Sequence, residues 1–396
     1  MSFADKSFTS KLRHSLPWLA RYPFWRARSA LRGFDESDGA RHLILIVANH
    51  FEPSWNESGE LFDLSTQLSR LDRWCEKAMK IGEAVRDVDG TPFRHTNFYP
   101  AEQYDRRILE KMAALQSEGY GEVEVHLHHG VERPDDAANT RRVLTEFRDL
   151  LAEEHQCLSR EEGGAGETRY AFVHGNWALA NSSGGLYCGV DSEMRILAET
   201  GCYADFTLPS APDRSQVPRL NAIYECGGDI DRARPHASGR SLRVGDVPSQ
   251  APVIFTGPLV FDWSRRRRGL PFPRIDNSAL TANYPLTPER VRRWAHARIH
   301  VGGRPEWVFI KLYCHGFFDF DQEAVIGETM RRGLEETIEY GERTGEFKLH
   351  FACAREAFNI AVAAVDGKSG EPGLFRDYRL RPIMAHATAQ ATGTRG

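Results

Sequence analysis

The chain has 396 residues, a formal net charge of −4, 41% hydrophobic residues and 27% charged residues, which is ordinary for a globular enzyme. The small negative charge gives no reason to expect nucleic acid as a partner. The seven cysteines are odd in number and never spaced as C-x-x-C, which argues against a disulfide framework and a thiolate zinc site and favours a reducing compartment.

The first 39 residues are predicted to form a basic arm. Residues 1–34 carry seven Lys/Arg and one acid, Asp5, with Trp18, Phe24 and Trp25 among them. This pattern fits a solvated arm that packs loosely on the domain, or a helix that docks on a membrane surface or a partner. No stretch approaches the ~20 apolar residues that cross a bilayer, and arginines interrupt every apolar run near the start. We therefore expect a cytoplasmic protein with possible peripheral contact at the inner membrane surface through this arm.

Strands and helices alternate after the arm. His42 to Ala48 is a near-continuous apolar run, as expected for a strand buried on both faces. In chain order the predicted elements are strand 42–48, helix 102–118, strand 122–128, helix 140–151, strand 170–173, strand 307–312, helix 323–340, strand 347–352 and helix 354–366. Such alternation predicts a parallel sheet with right-handed crossovers.

The alternation breaks between about residues 207 and 285. This stretch is rich in proline and has few helical periods, so we expect long loops and hairpins inserted on one face of the sheet. Residues 40–384 are then a single domain with this insertion, and the tail at 385–396 is expected to be disordered.

Histidines follow the ends of four predicted strands. His50 and Glu52 share one side of the first strand's end, because side chains alternate with period two. His126 and His128 share a side in the same way. The other two strand ends carry His174 and His315. In a parallel barrel these ends lie on one face, where barrel enzymes place their active sites.

These residue types fit a metal site. A catalytic zinc ion takes three nitrogen or oxygen ligands from the protein and keeps one position open for water. His50, Glu52, His126 and His128 can supply such a set, with His129 as a spare. A lone strand-end histidine is more often a hydrogen-bonded structural residue, so the prediction depends on their concentration at successive strand ends.

Five segments together resemble a known family. They are HFEP, EVEVHLHHG, FVHGNWALANS, ETGCYADFTLPSAP and FIKLYCHG. In this order and spacing they resemble the successive motifs of the polysaccharide deacetylase family, within the glycoside hydrolase/deacetylase superfamily, over about residues 40–365. The resemblance implies a parallel (β/α)7 distorted TIM-like barrel that carries the 207–285 insertion.

The resemblance also implies roles for the strand-end residues. Glu52 becomes the catalytic base and His315 the general acid, and a divalent metal ion, with zinc favoured, is held by His50, His126 and His128. If Glu52 is instead the third ligand, the base is His50 or His174. The chain departs from the family pattern at three places: Asn49-His50 replace an aspartate pair, Gly130 stands where the second ligand histidine usually lies, and His174 replaces an arginine.

Three further residues are assigned to substrate binding: His174, Trp177 and Asp205. Trp177 could stack on a sugar ring, although core packing is as frequent for tryptophan. Asp205 matches a motif that lines the site in the family, although a loop cap is nearly as common for aspartate.

The expected function is a metal-dependent hydrolase that removes the acetyl group from an N-acetylated sugar or glycan precursor. One alternative is a glycosidase of the same superfamily, which needs two carboxylates about 5–9.5 Å apart; Glu52 and Asp205 are the candidates. The other is a non-catalytic glycan-binding protein with a degenerate site.

Overall fold

The computed structural model describes residues 8–31, 40–56, 58–161, 166–247 and 252–384. The helices within these ranges are α1 (Phe8–Leu19), α2 (Tyr22–Leu31), α3 (Leu64–Ala84), α4 (Arg106–Ser117), α5 (Ala137–Glu153), α6 (Glu193–Glu199), α7 (Pro288–Ala295), α8 (Gln322–Val325), α9 (Glu328–Thr344) and α10 (Ala354–Val365). The strands are β1 (Arg41–His50), β2 (His95–Pro100), β3 (Gly121–Leu127), β4 (Ser159–Glu161), β5 (Thr168–His174), β6 (Cys202–Asp205), β7 (Ala222–Cys226), β8 (Gly239–Ser241), β9 (Val253–Thr256), β10 (Val260–Asp262), β11 (Arg266–Arg267), β12 (Leu270–Pro271), β13 (Arg274–Asp276), β14 (Trp307–Cys314), β15 (Phe347–Phe351) and β16 (Leu380–Pro382).

The protein is a mixed α/β fold around a mostly parallel sheet. The strand order is β14-β1-β2-β3-β5-β6-β9-β7-β8, and β15 also pairs with β1. Every neighbour from β14 to β9 runs parallel, whereas β7 and β8 pair antiparallel. Within the described ranges, no strand pairing joins β14 to β8, so the pairings trace an open path. The predicted parallel α/β architecture is confirmed at this level.

Aspartate side chains start the helices that follow the early strands. Asp63, Asp105 and Asp136 precede α3, α4 and α5, and each carboxylate accepts a hydrogen bond from a backbone N–H of the first turn. Such caps satisfy N–H groups that have no partner inside the helix. The caps therefore determine where each helix begins after the chain has left the carboxyl edge of the sheet.

The segment 207–285 differs from the prediction. Long loops and hairpins on one face were expected, yet the segment also contributes β7, β8 and β9 to the central sheet, with β9 between β6 and β7. The hairpins are present as well, as the pairs β10–β13 and β11–β12. The apolar run Val253–Thr256 lies between Pro252 and Gly257-Pro258, and four residues are too few for periodicity to separate a core strand from a loop.

The N-terminal arm is partly docked. Trp18 is 1% exposed and packs with Tyr22 against Phe261 of β10, with ring centroids 6.0 Å and 4.9 Å from that ring. Leu12, Leu16 and Phe24 are exposed. The described part of the arm is therefore anchored to the insertion through its aromatic residues. No helix among the described residues is long and apolar enough to span a membrane, and the predicted tail at 385–396 lies outside the described residues.

A buried ionic network ties α10 to the sheet. Arg355, at the start of α10, donates to Glu122 of β3 with Nη2 2.7 Å from Oε1, and both side chains are at most 5% exposed. Beside it, Arg94 Nη2 donates to Glu356 Oε1 at 2.6 Å. Buried charges are tolerated only when they are paired, so this network fixes where the last helix crosses the sheet.

Glu122→Gln is expected to lower the free energy of unfolding by about 3 kcal/mol, because it removes the main counter-charge of buried Arg355. Arg355 also reaches Asp377 and two carbonyl oxygens, which keeps the loss at the lower end of the usual range. Urea denaturation followed by circular dichroism measures it. Glu110→Gln, on the exposed face of α4, is the control and should leave the midpoint unchanged; equal midpoints for both variants would contradict the assignment.

Candidate metal centre

Parallel pairing brings the strand-end histidines to one edge of the sheet. Asn49 of β1 is in register with Cys314 of β14, so the residues that follow, His50 and His315, are neighbours with ring centroids 4.7 Å apart. On the other side β1 pairs with β2, and β2 pairs with β3 up to His126. The carboxyl ends of these strands therefore converge as the sequence predicts.

Glu52, His126 and His128 form a group that we call the outer group. One ligand atom from each lies within 4.8 Å of the others. Glu52 Oε1 is 3.1 Å from His128 Nε2 and 3.7 Å from His126 Nε2. The side chains of Glu52 and His128 are 14% and 20% exposed, so solvent reaches this group. Two imidazoles and a carboxylate with solvent access are the donor set of a catalytic zinc site.

The ring of His126 shows that this group fits a cation. Its Nδ1 lies 2.6 Å from the carbonyl oxygen of Val173, which can only accept, so Nδ1 carries the proton. Nε2 then carries a lone pair, and this nitrogen is buried with no hydrogen-bond partner among the described residues. Burial also lowers the pKa of His126. A neutral imidazole facing a carboxylate is unfavourable unless a cation lies between them.

His128 lies between two carboxylates. Its Nδ1 is 2.6 Å from Glu102 Oε1, and its Nε2 faces Glu52. Burial lowers the pKa of His128, but Glu102 and Glu52 outweigh it and raise the pKa to about 10. Burial raises the pKa of Glu52, and contact with the charged imidazole of His128 more than reverses this, to well below its usual value. A metal ion would therefore displace a proton from His128.

Glu102 was missed in the sequence. It lies just after β2, in a short 3-10 helical turn at Ala101–Gln103, and the strand His95–Pro100 was not predicted because its letters, HTNFYP, show no aliphatic run. A carboxylate that holds the far nitrogen of a ligand histidine orients the ring and makes it more basic. A polar residue directly after an aromatic strand was the available signal.

Gly175 leaves room for His128. A Cβ at position 175 would lie 2.3 Å from His128 Cδ2, closer than any real contact. This explains the glycine that follows the strand-end His174. It also shows that the end of β5 packs directly on the outer group.

His50 lies beside the outer group rather than in it. Its ring packs against His126 at 5.1 Å and against His315 at 4.7 Å between centroids. Burial lowers the pKa of His50 to well below its usual value, and His315 and His126 lower it further. Burial also lowers the pKa of His315. Two neutral imidazoles thus adjoin the outer group, where either can take or give a proton.

Two more side chains shape this place. Trp177 faces His50 and His315, each with 6.2 Å between ring centroids. Asn49 accepts from the N–H of Gly316 at 2.9 Å and donates to Asn97 at 3.0 Å. Asn49 therefore holds the turn that carries His315.

His174 and Asp205, both predicted to bind substrate, lie elsewhere. His174 is 0% exposed and pairs with His129 and Glu193. Asp205 is also 0% exposed, and its carboxylate accepts from the hydroxyl and N–H of Thr207 at 2.7 Å and 3.2 Å. Burial raises the pKa of Asp205 to about 7. These two strand-end residues point into the protein, so position at a strand end did not determine access to the cleft.

A second group, which we call the buried group, consists of His129, His174, Cys188 and Glu193. One ligand atom from each lies within 4.8 Å of the others, and all four residues are buried. Burial lowers the pKa of His174, but Glu193 outweighs it and raises the pKa to about 9. The buried group could hold a metal ion as well. Histidine at 129 was only a spare ligand in the sequence, and Cys188 and Glu193 were not singled out.

The comparisons with known proteins leave the family open. No protein-family model matches the chain, and no curated protein matches it. The resemblance to polysaccharide deacetylases therefore stays a prediction from the motifs.

Glu102→Gln is expected to weaken zinc binding at the outer group by about 10- to 100-fold, because His128 loses the carboxylate that orients and polarises it. Competition with a chromogenic chelator measures the affinity. Glu110→Gln, exposed on α4, is the matched control. Unchanged affinity in Glu102→Gln would show that Glu102 does not support a metal ligand.

Proposed function

We propose that this protein is a metal-dependent hydrolase that removes the acetyl group from an N-acetylated sugar or glycan precursor. The observation that carries the proposal is the buried, unpartnered Nε2 of His126, which faces Glu52 at 3.7 Å beside His128. His50, His315 and Trp177 surround this group. Together these residues supply metal ligands, proton carriers and an aromatic face for a sugar at the carboxyl edge of the sheet.

The barrel architecture is also part of this proposal. We infer a variant of the (β/α)7 barrel, as the motif resemblance implies. Seven strands are joined successively by parallel pairing, in the order β14-β1-β2-β3-β5-β6-β9. Seven is the number that this barrel needs. β15, which pairs parallel with β1, is an eighth parallel strand outside this succession, and β7 and β8 extend the sheet by antiparallel pairing as part of the insertion.

A divalent ion, with zinc favoured, would be held by Glu52, His126 and His128. Once bound, it would lower the pKa of a water molecule and polarise the acetyl carbonyl. Glu52 suits the ligand role better than the base role, because its Oε1 faces the Nε2 atoms of both His126 and His128, where a shared cation would lie. This assignment takes the alternative in which Glu52 is the third ligand.

With Glu52 as a ligand, the base is His50. Its ring is neutral and adjoins His126, whereas His174 is buried among other partners. His50 accepts the proton of the attacking water, whose oxygen bonds to the acetyl carbon. The carbon–nitrogen bond breaks, and the proton taken up by His50 passes through the adjoining ring of His315 to the departing amine. Trp177 offers a stacking face to the sugar ring.

The alternatives fit less well. A glycosidase would need Asp205 in the cleft opposite Glu52, and Asp205 is completely buried with both oxygens bonded to Thr207. A glycan-binding protein without catalysis would use Trp177 in the same way. It gives no reason for the unpartnered nitrogen of His126.

A cytoplasmic carbohydrate, such as a nucleotide sugar or a lipid-linked precursor, is the substrate class we propose. The exposed Leu12, Leu16 and Phe24 of the arm lie among basic residues. This combination suits peripheral contact with an anionic inner membrane surface.

Acetate release from N-acetylated nucleotide sugars and chitooligosaccharides, with zinc-loaded protein, is the test. His315→Gln is expected to reduce kcat at least about 100-fold while zinc content stays unchanged, because His315 lies outside the ligand set. His296→Gln, exposed at the end of α7, is the control. Release of reducing ends without acetate would favour a glycosidase, and full activity in His315→Gln would overturn the assigned acid.

A further inference from the structure

We propose that His129, His174, Cys188 and Glu193 bind a second metal ion, zinc by their chemistry, in a permanent structural site that is separate from the outer group. The proposal does not depend on the deacetylase function. His129 follows His128 in the sequence, but its side chain faces Glu193, on the opposite side of the segment from Glu52. Mixed nitrogen, sulfur and oxygen ligands are typical of zinc.

Three of the four ligand atoms already form a tight triangle. The Nε2 atoms of His129 and His174 are 3.0 Å apart. Glu193 Oε1 lies 2.8 Å from the first and 3.3 Å from the second. Tetrahedral zinc with bonds of about 2.0–2.1 Å spaces its nitrogen and oxygen ligands about 3.3 Å apart, so a small expansion of the triangle accommodates the ion.

The outer nitrogens of both rings point to the same requirement. His174 Nδ1 lies 2.5 Å from the carbonyl oxygen of Gly175, and His129 Nδ1 lies 2.9 Å from the carboxylate of Asp135. Both oxygens accept, so both Nδ1 atoms carry protons. The two Nε2 lone pairs then face each other and the Glu193 carboxylate. Three acceptors that converge in a buried place require positive charge between them, from a metal ion or an added proton. Ligand histidines commonly have such outer partners.

Glu193 and Cys188 complete the set. Glu193 Oε2 accepts from the N–H of Ala180 at 2.6 Å, which leaves Oε1 directed at the two rings. Cys188 is 0% exposed, and its Sγ lies 3.7 Å from Glu193 Oε2. Its backbone oxygen accepts from Asp135 N–H at 2.8 Å, which fixes the backbone of Cys188 beside the residue that holds the His129 ring.

Another histidine cluster in the protein shows the contrast. His350 Nδ1 pairs with Asp89 at 2.7 Å, and Arg376 donates to the same carboxylate at 2.9 Å. There the chain supplies its own cation. In the buried group the described partners of Glu193 are the two imidazoles, the thiol and one backbone N–H.

The metal would tie together the loops that shape the outer group. His129 follows β3, His174 ends β5, and Cys188 and Glu193 lie before and in α6. Between these ligands, Trp177 and Ala180 have positive φ, 55° and 46°, which is unusual for residues with a Cβ. The ion would therefore hold a strained segment whose Trp177 faces His50 and His315.

The test is metal content by plasma mass spectrometry on untagged protein produced with zinc. We expect two equivalents per chain in the wild type and one in each of two double variants, Cys188→Ser/Glu193→Gln and His126→Ala/His128→Ala. Cobalt substitution adds a specific signal, since a thiolate-to-cobalt absorption band requires a cysteine ligand. The band should persist in His126→Ala/His128→Ala and in the matched buried-cysteine control Cys157→Ser, and disappear in Cys188→Ser.

X-ray absorption on the wild type needs no variant and covers the case in which a double variant fails to fold. A sulfur neighbour at about 2.3 Å from zinc supports the buried site, because no cysteine belongs to the outer group. Spectra with only nitrogen and oxygen neighbours, or protein without metal, would overturn the proposal and leave a shared proton in the buried group. Two zinc ions without acetate release would contradict the deacetylase function alone.

Discussion

Parallel pairing of β14, β1, β2, β3 and β5 is the constraint on which both histidine groups depend. It aligns the carboxyl ends of strands that are up to about 260 residues apart in sequence, as the register of Asn49 with Cys314 shows. An antiparallel neighbour would carry its terminal histidine to the opposite edge. The long apolar β1 lies in the middle of this arrangement. It pairs with β14 from His42 to Asn49, and β15 and β2 share its other side. Burial on both faces is what such a strand requires.

The outer and the buried group have the same electrostatic arrangement but differ in solvent access. In each, a ring nitrogen donates outward, to Val173 in the outer group and to Gly175 in the buried group, which turns the other nitrogen inward as an acceptor. Acceptors beside a carboxylate favour a cation in both places. The outer group is open to solvent through Glu52 and His128, which suits the proposed catalytic role, whereas the buried group is closed, which suits the proposed structural ion.

Two adjacent histidines connect the outer group with the buried group. His128 and His129 are adjacent in sequence and face opposite sides, one toward Glu52 and the other toward Glu193. One segment after β3 thus contributes to both groups. Gly175, packed against the His128 ring, joins the end of β5 to the same segment. A change in the buried group would therefore be transmitted to His128 and Trp177 by direct contact.

The sequence by itself determined the alternating α/β pattern and the placement of His126 and His128 on one face, because these follow from local periodicity. It also located five strands and four helices, namely β1, β3, β5, β14 and β15 and α4, α5, α9 and α10. It did not reveal β2, β9 or Glu102. β2 has no aliphatic run, and the four apolar residues of β9 are too few for periodicity to separate a core strand from a loop. It assigned His174 to substrate and argued against a thiolate ligand, since Cys188 has no C-x-x-C partner. Only the tertiary structure decided which strands are neighbours and which acceptors converge, because those contacts join residues far apart in sequence and depend on how each ring turns to satisfy its outer hydrogen bond.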